Sequence, residues 1–286
     1  MPELLSLTPA ALILALLLCA AALLWWLHGR ARRQVSLTLT QNTRQLALLR
    51  QLLTSLQRHR GLSTGLLSGD ESMRSKLTDV RTDLDRHFAT AQSLTSRHSE
   101  RWQGLADHWS RLRQAENLNL ANNLTQHNQI IRNAIYLIED IALEQDLSQG
   151  RSELSYLPWI WRDVILAAEW AGQARAMGTG IAAAEASSPG QRVRMRFLHQ
   201  QITQLSHGAF ERLKAQEGSN QAMTAQVSRS QTAVNTFLHS VDQDLLSQAR
   251  PTTSAQAFFN QATLAVDELL ALVDLALEHL NRVHPQ

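Results

Sequence analysis

At 286 residues the chain is long enough for about two compact domains or one elongated one. A hydrophobic share of 44% beside 18% charged residues excludes a disordered polymer, and a single cysteine, Cys19, excludes a disulfide framework or a thiolate metal site built by one chain. The net charge of +2 hides a division: seven arginines against one acidic residue over positions 1–69, and a slightly acidic remainder, which argues against a nucleic-acid partner.

The first predicted element is a membrane span. Residues 10–27 carry no charge and, as a helix rising about 1.5 Å per residue, extend about 27 Å, close to the hydrocarbon thickness of a bilayer. Trp25 and Trp26 fall at headgroup depth, and Arg30, Arg32 and Arg33 follow at once, so the positive-inside preference puts the C-terminal part in the cytoplasm. The one charge ahead of the span is Glu3, and the large Leu18 precedes Cys19. Both features favour an uncleaved anchor over a signal peptide or a lipoprotein signal. The most apolar later stretch, residues 264–280, is interrupted by Asp267, Glu268, Asp274 and Glu278, so the chain is expected to cross an inner membrane once.

Beyond an anchor and basic flank over 1–33, apolar residues recur at spacings of three and four through 34–286, which predicts an all-α domain. Leu39, Leu46, Leu49, Leu53 and Leu56 form one stripe that runs on through Arg60 and Ser63 to Leu67. A second stripe starts at Met73, Leu77, Val80, Leu84, Phe88 and Ala91 and continues through Trp102, Leu105, Trp109 and Leu112, as one helix of about 60 Å. Later stripes centre on Ile131 and Ile135, on Val164 and Ala168, on Leu198 and Ile202, on Val234 and Phe237, and on Phe259, Ala262, Val266 and Leu269. Pro9, Pro158, Pro189 and Pro251 sit at predicted helix starts or in loops. Residues 68–70, 148–150 and 218–220 read as turns, giving about seven helices in antiparallel bundles.

One heptapeptide pattern occurs twice. Residues 60–66, Arg-Gly-Leu-Ser-Thr-Gly-Leu, and residues 175–181, Arg-Ala-Met-Gly-Thr-Gly-Ile, share the arginine, the small residues, the threonine and the aliphatic end. Counting back from each arginine by threes and fours meets Leu56, Leu53 and Leu49, or Ala171, Ala168 and Val164, so both guanidiniums are expected in buried seams. Arg58 is expected on the opposite face. A guanidinium keeps its proton, and burying it unpaired costs several kcal/mol, so each needs a negative partner. No carboxylate lies near Arg60 in sequence, and Glu169, six residues before Arg175, is expected on a different face. Two converging forks suit a flat delocalised anion, with Thr64 and Thr179, one turn beyond each arginine, as hydroxyl donors.

Residues 56–63 resemble the signature helix of the nitrate- and nitrite-sensing (NIT) family, and residues 169–178 are similar to its second signature. The resemblance implies two four-helix bundles sharing long helices, here about 34–150 and 151–286. It also implies nitrate or nitrite held between arginines of the two signatures: Arg60 and Arg175, with Arg58 a weaker addition. No cofactor is implied. The family commonly couples such a domain to an output module; none follows residue 280, so an unidentified partner protein or a homodimer is the expected relay.

Plainer readings stand beside this one. Arg60 and Arg175 would serve a ligand-free single-pass scaffold if they paired with acidic residues of other helices, such as Asp140, Glu139 or Glu144. Arg44, Arg50 and Arg58 fit solvent or anionic headgroups. Residues 61–65 match the G-x-S-x-G string of hydrolases, but that turn needs a preceding strand and here a leucine-rich helix precedes it, so no enzyme is expected. The eleven histidines show no zinc-binding spacing.

Overall fold

The computed structural model describes residues 9–94, 96–114, 119–144, 154–215, 221–247 and 250–283, the side chains of 9–12, 144 and 283 excepted. Every regular element among them is helical: α1 (Pro9–Leu67), α2 (Met73–Gln92), α3 (Ser99–Gln114), α4 (Leu120–Glu144), α5 (Leu157–Trp159), α6 (Ile165–Ala184), α7 (Pro189–Ala215), α8 (Gln221–Ser240) and α9 (Ala255–Val283), with π-helical segments Ile160–Val164 and Val241–Leu246. The chain is an all-α bundle led by one long apolar helix.

Helix α1 runs unbroken for 59 residues, about 88 Å. Its apolar N-terminal part is long enough to cross a membrane and none of it is buried among the described residues. Leu14, Leu17, Leu24 and Trp26 all stand exposed there. The same helix enters the bundle near Leu39, after which Leu46, Leu49, Leu53 and Leu56 are almost fully buried. It packs on α2 and α4, and more lightly on α9 and α6; α6 in turn packs on α7 and α9, and α8 on α9.

The turn after α1 forms where expected, with Gly69 at φ 98°, the left-handed region that glycine enters without a Cβ penalty. The turns proposed at 148–150 and 218–220 lie outside the described residues. Pro189 opens α7 behind a reciprocal cap, in which Gln191 N–H donates to Ser188 Oγ at 3.2 Å and Ser188 N–H donates to Gln191 Oε1 at 2.8 Å. The stripe from Met73 to Leu112 is not one helix. It breaks after Gln92, where the Ser96 hydroxyl accepts the His98 N–H at 3.0 Å and donates to Gln45 Oε1 on α1 at 2.5 Å, bonds that compete with helical ones.

Candidate functional site

Arg60 reaches the core as its stripe requires, with a side chain 1% exposed. It is not left unpaired. Its Nη1 donates to Glu169 Oε1 at 2.5 Å and its Nη2 to Glu169 Oε2 at 3.2 Å, a two-pronged ion pair between α1 and α6. Gln57 Nε2 donates to the same Oε2 at 3.0 Å and Gln173 Nε2 to Oε1 at 2.9 Å, so each carboxylate oxygen accepts two bonds. Arg60 Nη1 also donates to Asn128 Oδ1 on α4 at 2.7 Å. The expectation of a carboxylate-free Arg60 is therefore overturned. Glu169 does occupy a different face of α6 from Arg175, and that face is the one α1 lies against. Gly172, on the same face, lets the guanidinium settle onto the helix: a Cβ there would stand 2.9 Å from Arg60 Nη2.

Arg175 is in another position. Its Nη1 donates to the Thr263 hydroxyl at 3.0 Å, and its guanidinium lies 5.3 Å from the ring centre of Phe259. Both partners are neutral and both stand on α9. Burial, with the repulsion of Arg60 next, lowers its pKa to about 10, while Asp267 and Glu169 act the other way. Among the described residues it makes no ion pair. Arg58 is exposed, as expected, yet lies near enough to repel Arg175 as well. The carboxylate that Arg175, Arg58 and Arg50 all act on is Asp267, exposed on α9 one turn beyond Thr263.

The two threonines part company. Thr64 faces α4, where its hydroxyl accepts from Asn123 Nδ2 at 3.2 Å, and so is turned away from Arg175. The Thr179 hydroxyl, one turn beyond Arg175 on α6, is buried with no hydrogen-bond partner among the described residues. Arg50, expected in solvent or among headgroups, instead bonds to Asp274 on α9 at 2.9 Å with its side chain 15% exposed. Of the acidic residues proposed as plain partners, Asp140 pairs with Arg101, Glu139 lies close to Arg162 and Asp163, and the Glu144 side chain lies outside the described residues. Phe259 departs from its predicted core stripe: it is 39% exposed and covers Arg175, while Phe258 is fully buried.

Behind Arg60 sits a histidine relay that the spacing rules for metal ligands pass over. His127 Nδ1 meets the Asn123 carbonyl at 2.7 Å, His59 Nδ1 meets His127 Nε2 at 2.7 Å, and Arg81 Nε donates to His59 Nε2 at 3.3 Å. A carbonyl only accepts, so His127 carries its proton on Nδ1, and the chain of donors runs from Arg81 through His59 and His127 to the backbone. Both rings are neutral. Burial, then the charges of His127 and Arg81, push His59 down to about 2, and burial lowers His127 to about 4. Each folded pKa is below the unfolded value of 6.5, so the stability is whole above that value and is lost as pH falls, when only the unfolded chain takes up protons. Denaturant unfolding of the full chain is expected to lose about 1.4 kcal/mol per pH unit for each histidine below about pH 6. A flat profile between pH 6.5 and 5 would contradict the buried neutral pair.

The network also reaches α7. Arg194 Nη2 donates to Gln173 Oε1 at 2.8 Å and stacks on Trp170 and Phe197, its carbon 5.5 and 4.9 Å from the ring centres. No group of three or more histidines, cysteines or carboxylates able to hold a metal ion occurs among the described residues. The arrangement brings together guanidiniums from two helices, a buried hydroxyl with no partner among the described residues, and one carboxylate already engaged.

The chain matches the family described as nitrate and nitrite sensing over residues 51–281. A solved structure of the NasR transcription antiterminator superposes with a TM-score of 0.64 at 18% identity, over 92% of this chain and 74% of that one, a likeness of fold. No curated protein matches the sequence.

Proposed function

The chain belongs to the nitrate- and nitrite-sensing (NIT) family, and from that premise we propose that it is a membrane-anchored receptor for a singly charged oxyanion of that kind, bound beside Arg175 between α1, α6 and α9. The observation that carries the reading is the half-buried Arg175 fork, whose partners among the described residues are the Thr263 hydroxyl and the Phe259 ring. An oxyanion there would receive charge-assisted bonds from Arg175, a bond from the unpartnered Thr179 hydroxyl, and the field of Arg58 and Arg60. Such bonds contribute about 1.5–3 kcal/mol each, so three or four are enough for micromolar affinity, about −8 kcal/mol. In this reading Arg60 supports the site from behind Glu169 and Thr64 takes no part.

Neutralising the repulsion between Arg58 and Arg175 draws α1 toward α6 and α9. The displacement travels along one continuous helix, because Arg58 and the apolar segment ending at Leu27 belong to the same α1, about 47 Å apart. With Arg30, Arg32 and Arg33 on the cytoplasmic flank, the bundle lies inside the cell and the signal passes to a partner protein or a second copy of the chain. A ligand-free scaffold is the second reading, and the internally matched Arg60 favours it; Arg175, which makes no ion pair among the described residues, favours the receptor.

Calorimetry on the full chain in detergent micelles tests the choice. Nitrate or nitrite is expected to bind with a micromolar Kd, and Arg175→Ala to weaken it by at least about a hundredfold, the lower end of the worth of two charge-assisted bonds. Absence of heat and of any thermal shift with either anion overturns the receptor in favour of the scaffold.

A further inference from the structure

We infer that Glu169 is the charge filter of this site, restricting it to anions of a single negative charge; the inference rests on the receptor reading above. At the junction of α1, α6 and α9 stand Arg60, bonded across to Glu169 on α6, Arg175, bonded across to Thr263 on α9, and Arg58, two residues before Arg60 on α1; both α1 guanidiniums act on that of Arg175. The carboxylates acting there are Glu169 and Asp267. Arg50 and Glu268, which also act on Asp267, are matched by Asp274 and Arg229, so the set holds one positive charge in excess. Glu169 is the deeper of the two carboxylates, with a side chain 4% exposed, and its four accepted bonds fix its charge against Arg60. Asp267 is the shallower, exposed on α9, although partial burial pushes its carboxyl up against the pull of Arg175, Arg58 and Arg50.

A nitrate-like ion brings this set to neutrality. A sulfate or hydrogen phosphate ion carries a second charge with no cation left to meet it, beside the buried Glu169 carboxylate, and a surplus charge in a poorly hydrated place is costly. Shape alone does not provide this discrimination, because a fork that accepts two oxygens of nitrate also accepts two oxygens of sulfate. The deciding quantity is the number of fixed carboxylates, and Gln57, Gln173 and Arg60 hold the deeper one in place.

The test compares sodium nitrate with sodium sulfate at matched ionic strength, on the full chain in micelles, by calorimetry and thermal shift. Wild type is expected to bind nitrate and not sulfate. Glu169→Gln keeps the side chain's shape and a hydrogen bond to Arg60 but removes its charge, and is expected to gain sulfate affinity by about tenfold or more while keeping nitrate. It is also expected to melt lower in anion-free buffer and to recover most of the loss in sulfate. If that variant does not fold, Asp267→Asn removes the exposed charge and is expected to relax selectivity in the same direction by a smaller factor. Wild type that binds no nitrate overturns the receptor reading itself. Wild type that binds nitrate and sulfate alike, or a folded Glu169→Gln or Asp267→Asn that rejects sulfate as wild type does, overturns the filter alone.

Discussion

Arg60→Leu is expected to lower the unfolding free energy by about 3–5 kcal/mol, and Arg60→Leu combined with Glu169→Leu to restore most of it. Removing one member of a buried ion pair leaves the other charged and dry. Here the survivor is Glu169, 3% exposed and left with the amide donors of Gln57 and Gln173. Removing both takes away the desolvated charges together, at the lesser cost of the neutral amides of Gln57, Gln173 and Asn128 losing these bonds. Urea unfolding of the three proteins measures the effect, and a double variant as unstable as the single one would show that the pair is not an isolated charge problem. The same variants separate support from contact in anion binding. Because the double substitution leaves the excess positive charge at Arg175 unchanged, nitrate binding is expected to survive in it. Its loss in a fully folded double variant would put Arg60 itself in contact with the ligand.

That distinction was not legible in the sequence, and the reason is physical. Burial repeats every three or four residues along one helix, so the run from Leu46 through Leu56 to Arg60 reveals which face each residue takes. The same arithmetic places Glu169 and Arg175 on different faces of α6. It does not say which neighbour covers each face, and Glu169 meets a guanidinium 109 residues away. The sign of the clue was misleading too: a carboxylate facing away from one arginine faces the other. At Phe258 and Phe259 the ambiguity is smaller, since adjacent residues differ by about 100° around a helix and the wheel cannot choose which of two phenylalanines enters the core. The break between α2 and α3 escaped notice because its serines are compatible with either state until Gln45 offers a partner across the bundle. Gln57, three residues before Arg60 on the same face, was the available sign that the arginine's surroundings are polar and organised.

Gly178→Ala is expected to cost about 1–3 kcal/mol, although alanine is the better helix former by roughly 1 kcal/mol. A Cβ at Gly178 would stand 2.2 and 2.4 Å from two ring carbons of Phe258 and 3.0 Å from Leu245. The ring cannot swing away cheaply: it is fully buried and packed at 5.6 Å against Phe237. Steric overlap therefore outweighs propensity, and α6 must move off α9. Gly180→Ala is the internal control, because nothing lies within 4 Å of its added carbon; it is expected to be neutral or stabilising by up to about 1 kcal/mol. Phe258→Leu in the Gly178→Ala background frees the space and is expected to recover part of the loss. Thermal and urea unfolding of the set decide the matter, and a Gly178→Ala protein as stable as wild type would show that the α6–α9 contact is not held at this distance. The consequence extends to the anion. Gly178 lies between Arg175 and Thr179 on α6, and Phe258 lies next to Phe259 on α9, so the spacing that Gly178 permits is the spacing across which Arg175 reaches Thr263. A site that spans both helices is expected to lose nitrate affinity in Gly178→Ala and regain it with Phe258→Leu, whereas a site formed by α1 and α6 alone would be indifferent to both.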